Sequence, residues 1–123
     1  MSNRQPERSS AARASKPPMK EPVDFQNCAE RLKALADPDR LRMVQCLFDG
    51  PLTVGEIATA LREDIVKVSH HLAVLRRAGI LRAQKEGRYV RYSIHPDVQI
   101  ETLKASQGRQ INLGCCQLDL LGK

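Results

Sequence analysis

Apolar positions along the chain form four helical stripes and one alternating run, after an opening stretch that nearly lacks them. Residues 1–22 (MSNRQPERSSAARASKPPMKEP) mix Pro, Ser, Arg and Lys with almost no large apolar side chain. Such a segment cannot offset its chain entropy by burial, so it is expected to be disordered. From Asp24 the period changes. Phe25, Cys28, Ala29, Leu32, Leu35 and Ala36 recur at spacings of three and four, predicting a helix with one apolar face. Asp37 reads as the cap of a second helix with Pro38 at its first position, where a missing N–H costs nothing. Its stripe is Leu41, Val44, Leu47 and Phe48, and "DGP" ends it.

Thr53 followed by Glu56 is a capping box, opening the short helix "TVGEIATAL". Asp64 is the expected cap of a fourth helix, "DIVKVSHHLAVLRRAGI", which Gly79 should end in a left-handed conformation. Two short helices around a tight turn predict a helix-turn-helix. The runs "LRAQK" and "RYVRYSI" then flank Glu86 and Gly87, predicting a β-hairpin. The expected fold is therefore mainly α with a small β-hairpin, a winged helix-turn-helix. It divides the chain into a disordered basic tail (1–22), a winged-helix domain (23–107) and a C-terminal extension (108–123).

Composition narrows the core. With 123 residues there is room for one domain. A chain that is 41% hydrophobic with no Trp, two Tyr and two Phe must build its interior from Leu, Ile, Val and Ala. No apolar run has the length of a signal-peptide core or a membrane span, so a cytoplasmic protein without membrane attachment is expected. The net charge of +6 points to a polyanionic partner. Its distribution says more, because residues 65–92 hold seven basic side chains against the single acid Glu86, and the rest of the chain is neutral overall. A scattered charge run is usually a solvated face. Here it coincides with the fourth helix and the hairpin, which favours double-stranded DNA as partner.

Helical geometry divides the fourth helix. Val68, His71, Leu72 and Leu75 share the side expected to pack inward. Val66, Ser69, His70, Ala73 and Arg77 share the other. Ser69 and His70 offer hydrogen bonds to base edges or phosphates, Ala73 permits close approach, and Arg77 suits a phosphate. With Lys67 from the helix and Lys85 and Arg88 from the hairpin, these are the candidate DNA-contacting residues. His71, on the apolar side, is expected to be a hydrogen-bonded interior histidine. It does not form a metal pair with His70, since adjacent helical residues point about a hundred degrees apart.

At this stage the chain resembles a known family. "LADPDRLRMVQCLFDGPLTVGEIATAL" and "VSHHLAVLRRAGILRAQKEGRYVRYSIHP", within residues 24–97, are similar to the ArsR/SmtB family of bacterial winged-helix repressors. The resemblance implies a homodimer paired through its first and last helices, two recognition helices in successive major grooves, and repression relieved by an inducer. Family members typically sense metals or metalloids; some sense sulfur or redox species and some have no known ligand.

The departures from the family pattern redirect attention. Arsenic-responsive members commonly open the third helix with C-x-C-x-x-C, where this chain has Thr53, Gly55 and Ala58. Zinc-responsive members carry histidines on the final helix, where this chain has His95 before Pro96 and none afterward. Arg62-Glu63 replaces the Gly and apolar residue usual in the turn before the recognition helix.

Four cysteines remain. In a reducing compartment Cys28, Cys46, Cys115 and Cys116 read as buried apolar groups, metal ligands or redox thiols rather than as a disulfide framework. The adjacent Cys115 and Cys116 are the candidate soft-ion ligands, suited to As(III), Cd(II), Zn(II) or Cu(I). Cys28 or Cys46 could supply a third sulfur; the candidate metal-ligating set is Cys115, Cys116 and Cys28. Two other readings stay open for the pair, packing of an apolar tail through "INLGCCQLDLL" and oxidation, with each other or with a further cysteine. No catalytic constellation is evident, so an enzyme is not expected. A winged helix used only for protein contacts is the alternative of another class.

Overall fold

The structure, a computed structural model, describes residues 22–100 and 109–121. The expected disordered tail falls outside the described residues but for Pro22, as does the segment 101–107 that closes the expected winged-helix domain.

Among the described residues four helices form the framework: α1 (Phe25–Leu35), α2 (Pro38–Leu47), α3 (Val54–Leu61) and α4 (Ile65–Arg77). The expected caps explain three of their starts. Asp24 accepts from the Asn27 amide at 3.0 Å, and Asp37 accepts from the amides of Asp39 and Arg40 at 2.9 and 3.2 Å. Both arms of the Thr53–Glu56 capping box are present, at 2.9 and 3.2 Å. Asp64 departs from expectation: it occupies the N-cap position of α4, yet its side chain makes no capping hydrogen bond. Gly79 ends α4 with φ at 81°, as its place in the sequence predicts.

The turn between α3 and α4 is built without the glycine it calls for. Arg62 takes the left-handed conformation itself, φ 58° and ψ 46°, and its N–H reaches back to the Ala58 and Thr59 carbonyls. The side-chain strain of that conformation is of order 1–2 kcal/mol for an L-residue other than glycine.

Strands β2 (Leu81–Glu86) and β3 (Tyr89–Ile94) form the expected hairpin, in the register Leu81↔Ile94 to Glu86↔Tyr89. The two-residue loop is Gly87-Arg88, with Gly87 at a φ of 62°. A short strand before α3, β1 (Leu52–Thr53), pairs antiparallel with β3 and gives the sheet order β1-β3-β2. Two residues carry no legible period, so the sequence pattern does not reveal this strand.

The interior is aliphatic. Met43, Val44, Ile57, Val68, Leu72, Leu75, Ile80 and Leu81 are fully or almost fully buried where the helices meet the base of the hairpin. Helix α1 contributes less than its stripe suggested: Cys28, Ala34 and Leu35 are buried, whereas Phe25 remains 69% exposed and Ala29, Leu32 and Ala36 are also exposed.

The C-terminal extension is a second hairpin, β4 (Gln110–Asn112) and β5 (Gln117–Asp119), paired from Gln110↔Asp119 to Asn112↔Gln117. It folds back onto the core. Ile111 and Leu113 are 0% and 1% exposed, and Leu118 and Leu120 pack against the same cluster. Gln99 bridges to Ile111, and the Val98 carbonyl accepts from the Asn112 amide at 2.8 Å.

Candidate nucleic-acid interface and sulfur cluster

Helix α4 divides as its periodicity predicts. Val68, His71, Leu72 and Leu75 are buried, while Val66 is 71% exposed and Ser69, His70 and Arg77 are exposed with Ala73 half-buried on the same stripe. Arg77, at the C-terminal end of that stripe, also borders an open groove shared with Asn27, Glu30 and Lys33 of α1. Lys85 and Arg88 stand at the exposed end of the hairpin, and neither forms an ion pair among the described residues.

Two cations of the basic segment are already occupied. Lys67 Nζ lies 3.3 Å from both Asp39 Oδ2 and Glu63 Oε1, and the hydrogen bonds it donates to Glu63 and then to Asp39 raise its pKa above the ordinary lysine value. Arg42 holds the other side of that acidic pair, 2.7 Å from Asp39 Oδ1 and 3.6 Å from Glu63 Oε2. Lys67 therefore ties α4 to α2 and to the turn before it while remaining exposed. Its place on the helix gave no sign of this, because the partners come from another helix and from the atypical Glu63. Arg91 is held likewise, 2.9 Å from Glu86 and 3.8 Å from Glu56.

His71 is the interior histidine expected. It is 9% exposed, and its Nδ1 accepts from Arg40 Nη1 at 3.0 Å, with Asp39 Oδ2 3.9 Å from Nε2. Asp37, Asp39 and His71 converge closely enough to hold a cation. Arg40, Arg42 and Lys67 already supply that positive charge.

The sulfurs converge elsewhere. Cys28, Cys115 and Cys116 place their Sγ atoms within 4.8 Å of one another, and no histidine or carboxylate among the described residues joins them. Cys28 is buried on α1, Cys115 is half-buried and Cys116 exposed in the loop between β4 and β5. Cys28 and Cys115 are joined by a disulfide spanning 87 residues. The expectation against a disulfide framework is thus corrected for this pair: the hairpin folds across α1, a juxtaposition that separation along the chain conceals. The Cys115 amide also donates to Cys28 Sγ at 3.3 Å, and Cys116 Sγ lies 3.8 Å from Cys115 Sγ. Cys46 stays apart on α2, half-buried and free. Burial, and then the Asp49 carboxylate, push its thiol pKa up, which disfavours the reactive thiolate.

Comparison with known proteins agrees with this architecture. Residues 37–83 match the family described as "Bacterial regulatory protein, arsR family". The chain is 37% identical over 81 residues to the HTH-type transcriptional regulator MJ1325 of Methanocaldococcus jannaschii, covering 65% of this chain and 91% of that one. It is 42% identical over 67 residues to the arsenical resistance operon repressor of Escherichia coli, covering 54% of this chain and 57% of the repressor. A homodimeric winged helix-turn-helix DNA-binding domain from Mycobacterium bovis, Mb0332, superposes with a TM-score of 0.55 at 33% identity, over 57% of this chain and 65% of that one. No helix among the described residues is long and apolar enough to cross a membrane. The chain belongs to the ArsR/SmtB family of winged helix-turn-helix transcriptional regulators.

Proposed function

We propose that the protein is a homodimeric repressor that reads an operator with α4 and leaves it when Cys28, Cys115 and Cys116 capture a soft ion. The observation that carries the first half is the exposed stripe Val66, Ser69, His70, Ala73 and Arg77, standing beside Lys85 and Arg88 of the hairpin. A helix of 13 residues is about 20 Å long, enough for its polar end to reach base edges while the hairpin flanks the backbone. The uncovered side of α1, with Phe25, Ala29 and Leu32 exposed, supports pairing with a second copy. A symmetric pair with one reading helix per chain requires an inverted-repeat operator.

The sulfur cluster supports the second half. Once the disulfide is reduced, the three thiols form an all-sulfur donor set suited to As(III), Cd(II) or Zn(II). The 3.8 Å between Cys115 and Cys116 Sγ matches the spacing of two thiolates on one tetrahedral ion at about 2.3 Å each. The Cys28–Cys115 bond favours a second reading, in which an oxidant is the signal: peroxide takes two electrons from the two thiols, forming the S–S bond and two waters.

Thiol counting and metal titration of the purified dimer, beside operator binding with and without arsenite, cadmium or peroxide, test both. Failure to shift any promoter fragment at low salt would leave the protein-interaction alternative. A Cys115→Ser, Cys116→Ser protein that binds DNA and still responds to every agent would move the effector site elsewhere.

A further inference from the structure

We infer that Arg31 is the positioning residue through which the state of the sulfur cluster reaches the recognition helix. The inference rests on the effector role proposed above for the cluster. Arg31 lies one helical turn after Cys28 on α1, so the two side chains leave the same side of the helix. Its guanidinium spans two otherwise separate parts of the fold. Nη1 donates to the Leu113 carbonyl at 3.2 Å, and Nε donates to the Ala78 carbonyl at 3.3 Å.

Both acceptors sit where movement matters. Ala78 caps the C-terminus of α4, where carbonyls lack partners within the helix and a cation is favourably placed. Room for the guanidinium comes from Gly79: a Cβ there would lie 3.4 Å from Arg31 Nη2. Leu113 opens the loop that carries the cysteines. Its side chain is buried, its amide donates to the Cys116 carbonyl at 2.8 Å, and Gly114 follows with φ at 104°.

In the disulfide form Cys115 reaches α1 while Cys116 is exposed. There the sulfurs of Cys28 and Cys115 are covalently bonded, whereas thiolates sharing one ion at about 2.3 Å each stand about 3.8 Å apart. Replacing that bond by a shared ion therefore moves the Cys115 sulfur relative to Cys28 and carries the bent Gly114–Cys116 backbone with it. The Leu113 carbonyl moves with that backbone. A guanidinium that follows it leaves the Ala78 carbonyl, and the end of α4 is released. Arsenite loading itself is a condensation: arsenous acid and three thiols give a trithiolate and three waters.

The test uses the full chain, reduced with a phosphine, and measures operator affinity and arsenite binding in parallel on wild type, Arg31→Lys and Arg31→Gln. Lysine keeps the charge but cannot span both carbonyls as a planar fork does. Wild type should lose at least tenfold in DNA affinity on loading. Both variants should take up one arsenite per chain and melt cooperatively, yet bind DNA at least tenfold more weakly than wild type already without arsenite and lose less than threefold further on loading. Variants that respond as fully as wild type would overturn the relay and leave the sulfur site standing. A wild type whose affinity is the same reduced, oxidised and arsenite-loaded would overturn the effector site and the relay together. Variants that no longer bind arsenite would make Arg31 part of the site and overturn its role as a relay.

Discussion

Two β-hairpins lie among the described residues, and they differ in whether the tip is free or fastened. The β2–β3 hairpin is held at its base, where Leu81 and Ile94 are buried, while Lys85 to Val90 at its tip are exposed. The β4–β5 hairpin is held along its strands, where Ile111 is buried, and at its tip as well. Leu113 is buried, Cys115 is bonded to Cys28, and the Leu113 carbonyl is gripped by Arg31. The lesson lies in what each arrangement leaves accessible. A tip in solvent carrying Lys85 and Arg88 is suited to meet a polyanion, whereas a tip fastened to α1 is suited to report a chemical change to the interior.

The contrast can be broken most severely by truncation. Leu113→Ala or Ile111→Ala should destabilise the fold by about 2–5 kcal/mol, as for other large-to-small changes in a packed core. Val90→Ala, at the exposed tip, should fall within about 0.5 kcal/mol of wild type in the same denaturant titration. Equal losses at both hairpins would mean that the C-terminal one is not part of the core in solution.

Next in size is the effector response. The Cys115→Ser, Cys116→Ser protein should bind the operator as reduced wild type does and lose the release caused by arsenite, a coupling of about 1–3 kcal/mol. Fluorescence anisotropy with operator DNA reads both quantities.

The wing and α4 predict a finer distinction among cations. Arg77→Ala and Arg88→Ala should each flatten the plot of log affinity against log salt by about 0.9 for each phosphate that is no longer neutralised. Lys67→Ala should leave that slope unchanged, because Asp39 and Glu63 already hold the ammonium. A full unit of slope removed at Lys67 would show that it neutralises a phosphate despite those ion pairs.

The smallest effects are local. Arg62→Gly should stabilise by up to about 1 kcal/mol, since glycine relieves the left-handed strain but gives back part of the gain in unfolded-chain entropy. The hydrogen bond from Arg42, opposed by desolvation and assisted by Lys67, holds Asp39 below the ordinary carboxylate pKa. Its contribution is therefore complete above the unfolded value near 3.8 and is lost as pH falls through the lower folded value. Acid unfolding of Asp39→Asn should begin from a lower plateau and depend less on pH below about 4.

Much of the DNA-reading half was legible because its determinants are local. The capping box at Thr53 and Glu56, the stop at Gly79 and the inward stripe Val68, His71, Leu72 and Leu75 each follow from spacings within a few residues, and all appear in the fold. The cap expected at Asp64 fails because its side chain makes no capping hydrogen bond. The ion pairs of Lys67 were hidden for a different reason: a helical wheel places a side chain on a face but says nothing of which charges another helix brings to it.

By itself the sequence determined the helices, the wing, the family and the soft-donor chemistry of the cysteines, since caps, periodicity and thiol chemistry belong to residues and their near neighbours. Tertiary structure alone decided that Cys28 meets Cys115 and Cys116, that Lys67 meets Asp39 of α2, and that Arg31 joins the cysteine loop to the end of α4. These pairings reach across 28 to 88 positions of chain, as from Asp39 to Lys67 and from Cys28 to Cys116. No local pattern encodes such distances; the cysteine contacts and the Arg31–Leu113 bond are fixed when Ile111 and Leu113 enter the same apolar core as α1 and α4, drawing the polar and sulfur atoms beside them into place.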